Sequence, residues 1–161
     1  ALNTMDKLSA YGLESVEYQV CFNRGMPLQS LTNAASGGEL SRVALALYLL
    51  LSIHNPPEII IFDEIDVGIG GKVAAVVGQM LAKLGLSKQV ICITHQPQVA
   101  SCGTNHLVVS KIQEKKTTTT LVEYIQGEAR IAEVARMLGG VHITDATLVH
   151  AKEMLLQHMI I

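Results

Sequence analysis

Two short apolar runs, residues 58–62 and 89–93, constrain this chain most, because the first ends in Asp63-Glu64 and the second in Thr94-His95. Runs of that length with no polar alternation fit strands buried inside a parallel sheet, and parallel neighbours need a crossover connection. Residues 72–84 supply one, since Val73, Val76, Val77, Met80, Leu81 and Leu84 recur at helical spacing. A βαβ unit follows, and with it an α/β fold: a mainly parallel sheet, flanking helices and an antiparallel edge. Ligands of open α/β sheets sit beyond the carboxyl ends of the strands, so Asp63, Glu64 and His95 converge on one edge.

The remaining pattern fills in around that unit. Leu2, Met5 and Leu8 are spaced for one face of a helix over residues 1–10, which Gly12 would end. Val16, Tyr18, Val20 and Phe22 alternate with polar neighbours, the period of a half-buried strand, before Gly25 and Pro27 break it. Leu40, Val43, Ala44, Leu47 and Leu51 predict a mostly buried helix that runs to the stop at 54–57. Residues 106–112 and 118–125 read as a hairpin at a sheet edge, and helices follow at 128–138, stopped by Gly139-Gly140, and at 144–157.

Composition excludes several classes of function. A length of 161 residues suits one domain, and 49% hydrophobic with 16% charged residues is too apolar for a disordered tail. The longest apolar stretches, 43–53 and 57–62, are too short to span a bilayer and no charged-then-apolar leader opens the chain, so a cytoplasmic setting is expected. Cys21, Cys92 and Cys102 are odd in number and lack ligand spacing; they read as reduced structural thiols. His54, His106, His142, His150 and His158 lie apart and suggest no metal site. A net charge of −2 provides no basic field for DNA, and the lysines at 111, 115 and 116 are diluted by Glu114 and Glu123.

An Asp-Glu pair at a strand end suits nucleotide hydrolysis: Asp63 would hold magnesium through its water shell and Glu64 would take a proton from the attacking water. In isolation such a pair is more often an ordinary polar strand end. Ser36-Gly37-Gly38-Glu39 opens a helix as a capping box would, with Ser36 and Glu39 each bonding back to the other's backbone. That reading leaves two adjacent glycines unexplained, at about 1 kcal/mol each within a helix. Close approach of a phosphate to a helix terminus would explain them.

Taken together, the Ser36–Arg42 segment, the 59–64 strand with its acids, Asp66 and Thr94-His95 resemble the signature, Walker B, D-loop and switch-histidine series of ABC-type ATPases. The forms Ser-Gly-Gly-Glu and Asp-Glu-Ile-Asp-Val-Gly-Ile-Gly-Gly are similar to the branch that holds structural-maintenance-of-chromosomes proteins and bacterial repair proteins. The resemblance implies ATP and magnesium as cofactors. It places Ser36, Gly37, Gly38 and Glu39 on the ATP of an opposing head, Asp63 near magnesium, Glu64 on the attacking water, Asp66 across the head–head interface and His95 at the γ-phosphate. Residues 1–12 would be the foot of a returning coiled-coil arm and 13–161 the C-terminal half of the head. Implied partners are the N-terminal, P-loop-bearing half, a second head, and DNA at the nucleoid, with no membrane.

The family's P-loop is absent from this sequence. Gly71-Lys72 is followed by Val73 where Ser or Thr is required, and Asp66 stands where the first glycine belongs. A dinucleotide fingerprint over Gly68 and Gly70 also fails at Val73. Micromolar ATP binding needs about −8 kcal/mol, whereas a helix terminus offers about 0.3–1 kcal/mol, so the chain alone is expected to be inactive. The alternatives are another chromosome-associated or transporter head, and an interaction module with no chemistry.

Overall fold

A computed structural model describes residues 1–10, 12–21, 25–31, 37–51, 57–113, 117–140 and 142–158. Ser36, Phe22, the stop at 54–56, the turn at 114–116 and the apolar end at 159–161 lie outside the described residues. The elements in chain order are β1 (Leu2–Ser9), β2 (Gly12–Val16), β3 (Gln19–Val20), β4 (Gln29–Ser30), α1 (Gly37–Leu51), β5 (Ile59–Phe62), α2 (Gly71–Gly85), β6 (Gln89–Cys92), α3 (Pro97–Ala100), β7 (His106–Gln113), β8 (Thr118–Ile125), α4 (Gly127–Gly139) and α5 (Asp145–His158).

The βαβ unit forms as the sequence predicts. β5 and β6 pair in parallel, Ile59 with Gln89 through Phe62 with Cys92, and α2 crosses between them. Because strand side chains alternate, Ile60 and Phe62 point into the core while Ile59 and Ile61 are exposed on the other face. Ala74, Val77, Leu81 and Leu84 of α2 complete that core with Leu45, Ile65 and Val99. The parallel pair gains no third strand among the described residues.

Several expectations are corrected. Residues 2–9 form a strand rather than a helix, paired antiparallel with β2 from Leu2–Val16 to Ser9–Gly12. Leu2 and Leu8 are exposed, so the stripe that would have anchored a helix has no core beneath it. A lone helix of that length is marginal in water, whereas strand pairing satisfies the backbone. The strand expected through Val16 and Tyr18 is interrupted at residues 17–18 and both side chains are exposed. Among the described side chains of α1, Leu45 is buried, Val43 and Ala44 are half-buried, and Leu40, Leu47 and Leu50 are exposed; the Leu51 side chain lies outside those described. The β7–β8 hairpin is a two-stranded sheet of its own, not an edge of the parallel pair, in register from His106–Ile125 to Gln113–Thr118.

Helices α4 and α5 pack through Val134, Ala135, Ala151 and Leu155 into a second, smaller core. Gly140 ends α4 with φ 66°, a left-handed conformation that glycine adopts at no steric cost. Arg130 ties this pair to the first core: its guanidinium donates to the carbonyl oxygens of Ala100 and Ser101 at 3.4 Å and to that of Gly103. Burial holds this guanidinium below its ordinary pKa, and the same burial, with Arg130 beside it, lowers that of His106. No helix among the described residues is long and apolar enough to cross a membrane.

Candidate nucleotide-handling site

The loop after β5 turns sharply at Glu64, whose φ of 56° is the one positive value at a non-glycine residue among those described. Such a conformation costs on the order of 1–3 kcal/mol and persists only where its surroundings hold it. Here the first turns of α1 do so. Ser41 Oγ donates to the Asp63 carbonyl at 3.1 Å, and one Arg42 nitrogen donates to the carbonyls of Ile65 and Val67, each at 3.1 Å. The Val67 amide closes the turn on the Glu64 carbonyl at 3.2 Å.

Gly38 is required for that fit. A Cβ built on it would lie 2.6 Å from the Glu64 carbonyl oxygen and 3.3 Å from that of Val67. The structure thus gives Gly38 an internal reason, backbone packing against the Glu64 turn, where the sequence suggested a phosphate. Gly37 is the first residue of α1, and Glu39 lies in its first turn. For Gly38→Ala, helix propensity alone favours alanine by about 1 kcal/mol. The clash is with backbone, which has no flexible end to swing aside, so the Glu64 turn is displaced. In an ATP-hydrolysing assembly this is expected to cost about 100-fold in turnover, as an ångström-scale misplacement does. Unchanged turnover at an unchanged melting temperature would show that the packing is not functional.

Asp63 and Glu64 directly follow β5, and Asp66 and His95 lie within 3.3 Å of each other. Asp63 and Glu64 are exposed at the carboxyl end of β5. The Asp66 side chain is 1% exposed, turned inward rather than toward solvent. Its Oδ2 instead accepts from Thr94 Oγ1 at 2.5 Å and from the His95 and Gln96 amides at 3.0 and 3.1 Å. His95 lies on the turn after β6, its ring 66% exposed and its Nδ1 3.3 Å from that same Oδ2. Sequence reasoning left Ser41 and Arg42 without a role, and missed Thr94 and Gln96 as partners of Asp66. The only cue was the short polar stretch after each strand.

Electrostatically this edge is negative. Cys92 at the end of β6 has its thiol pKa pushed up to about 12, by burial first and then by the charges of Asp66 and Asp63. No cluster of three or more metal-ligating side chains exists among the described residues. Magnesium does not need one, since it keeps much of its water shell and takes one or two carboxylates beside substrate phosphates. Two exposed neighbouring carboxylates fit that demand. The sequence holds no P-loop to cradle the phosphates.

No protein-family model matches the chain. It is 49% identical over 148 residues to DNA repair protein RecN of Vibrio cholerae serotype O1, a match that covers 92% of this chain and 27% of that protein. The RecN proteins of Bacillus subtilis and Haemophilus influenzae are 42% and 46% identical over 94% and 96% of this chain, and over 26% and 28% of their own lengths. The chain therefore spans about a quarter of the length of the curated relatives it matches. A solved chain from work on ATP-driven dimerization and DNA-stimulated activation of SMC ATPases is 21% identical, with a TM-score of 0.46 over 70% of this chain and 68% of that one. That likeness is too loose to support an assignment.

Proposed function

We propose, on the premise that this chain belongs to the RecN family, that it is the C-terminal part of an ATPase head acting in DNA repair, which hydrolyses ATP only when joined to a P-loop-bearing half. One observation carries this reading: the first turns of α1, the Asp63-Glu64 turn and the His95 turn are bonded into one unit, so that signature, Walker B and switch residues form a single edge. A chain without chemistry has no need to hold Glu64 in a strained turn beside them.

In this reading Glu64 is the base for the attacking water, Asp63 assists magnesium through its water shell, and His95 meets the γ-phosphate. Magnesium supplies charge neutralisation of the phosphates when bound. Ser36, Gly37, Gly38 and Glu39 would face the ATP of a second head, pairing two heads around two nucleotides. Residues 1–12 would mark where a coiled-coil arm meets the head, and the arm would pass head closure on to DNA. The setting is the cytoplasm, at the nucleoid. The exposed apolar face of β5, with Ile59 and Ile61, is a surface that the P-loop half would cover.

The absence of a P-loop sets the expected result. ATP alone would meet two exposed carboxylates, and like charges at such an edge repel it rather than hold it. This chain alone is therefore expected to turn over no ATP and to bind it more weakly than micromolar by calorimetry. Co-expressed with the P-loop half, it is expected to hydrolyse ATP. A folded, reassembled head that stays inactive even with DNA present would favour the interaction module instead.

A further inference from the structure

We propose that Arg42 is a positioning residue for Glu64, a clasp from α1 that closes only on the turned form of residues 64–67. One guanidinium nitrogen, Nη1, donates to the Ile65 and Val67 carbonyls, each at 3.1 Å. In an extended strand alternate carbonyls stand about 6.8 Å apart, two rises along the chain, farther than two such bonds from a single atom can span. Both bonds therefore exist together only while the loop is turned. Their donor is a cation, which makes them stronger than bonds between neutral groups. The turn's own closure is one neutral bond, from the Val67 amide to the Glu64 carbonyl at 3.2 Å.

Glu64 combines a φ of 56° with a side chain open to solvent, so its carboxylate goes where its backbone places it. A backbone held in that region relaxes when its support is removed. Three residues of α1 meet the loop, and they do different things. Gly38 permits the close approach, and Ser41 bonds upstream of the turn, at the Asp63 carbonyl. Of the three, Arg42 alone bonds beyond Glu64, on either side of Asp66. Arg42 thus acts on the reaction through Glu64, and it makes the placement of the base depend on the start of α1.

The catalytic consequence rests on the ATPase reading, but the clasp does not, so the test has two arms. In the head reassembled from this chain and the P-loop half, with arginine labelled by ¹⁵N, the two Nη of Arg42 are expected to give separate signals, because a nitrogen bonded to two carbonyls does not turn freely. A single averaged signal overturns the proposal, whether or not any variant folds. Arg42→Met keeps an unbranched stem and a similar helix propensity while removing the donors. It is expected to speed amide exchange at Val67 and to lower kcat roughly 100-fold with KM little changed, as an ångström-scale misplacement does. ATP-dependent dimers should accumulate, as they should for Glu64→Gln. Arg42→Lys, whose one ammonium can serve both oxygens, is expected to recover much of the loss. Combined with Glu64→Gln, Arg42→Met should be no slower than Glu64→Gln alone. Multiplying losses overturn the proposal, as does a folded Met variant with unchanged exchange at Val67. A head with separate Arg42 signals and no ATP turnover would sink the ATPase reading while leaving the clasp standing.

Discussion

In a head reassembled from this chain and a P-loop half, Glu64→Gln is expected to lower ATP turnover by roughly 100- to 10,000-fold, the range a positioned general base contributes. Binding should survive. The side chain is exposed at the end of β5, so the amide neither opens a cavity nor buries an unpaired group. The φ of 56° at this position is a backbone property, and glutamine tolerates it no worse than glutamate. What the substitution removes is the capacity to accept a proton from water, with shape and volume kept. Heads engaged around ATP then lose their route to release, and nucleotide-dependent dimers should accumulate on a sizing column. Full turnover by the Gln variant would remove Glu64 from the chemistry, and a failure to form any ATP-dependent dimer would remove the two-head arrangement.

How much of this was legible in the sequence differs by element. The βαβ unit was readable because its signals are local and agree: two apolar runs, a helical period between them, and polar residues at the strand ends. The helices at 127–139 and 145–158 carried equally plain periods. Residues 2–9 misled because Leu2, Met5 and Leu8 fit a helical face only if something lies beneath it, and that depends on tertiary context. The same holds for α1, whose apolar spacing was read as burial although Leu40, Leu47 and Leu50 remain exposed. The site was legible as a set of residues but not as an arrangement. The resemblance implies a place for Asp66 at a head–head interface, yet only three-dimensional contacts show its carboxylate turned inward onto Thr94, His95 and Gln96. Gly38 is a related case: the glycine was visible, while its partner, the Glu64 carbonyl, lies beyond the reach of local pattern.

The largest effect on stability is expected at Gly78, in the middle of α2. It is buried where α2 crosses α3, and a Cβ there would lie 2.7 Å from Cys102 Sγ, 2.9 Å from the Gln98 carbonyl and 3.1 Å from Val99 Cα. Two of those three atoms are backbone, and the third belongs to a buried side chain whose thiol also donates to the Gln98 carbonyl at 3.2 Å. None can swing away. Gly78→Val adds two methyl groups beyond that Cβ, so α3 has to move off α2, and the turn that carries His95 and Gln96 leads directly into α3. The expected loss is about 3 kcal/mol, the upper end for overpacking, against which the gain in helix propensity of at most about 1 kcal/mol is too small to compensate. Gly85→Ala is the control, since its Cβ would meet nothing within 4 Å, and it is expected to be neutral or slightly stabilising. Urea unfolding of the two variants beside the unsubstituted chain separates the cases. Equal midpoints for Gly78→Val and the parent would mean that α3 does not rest on α2 as described, and the support of the His95 turn would have to be sought in Asp66 alone.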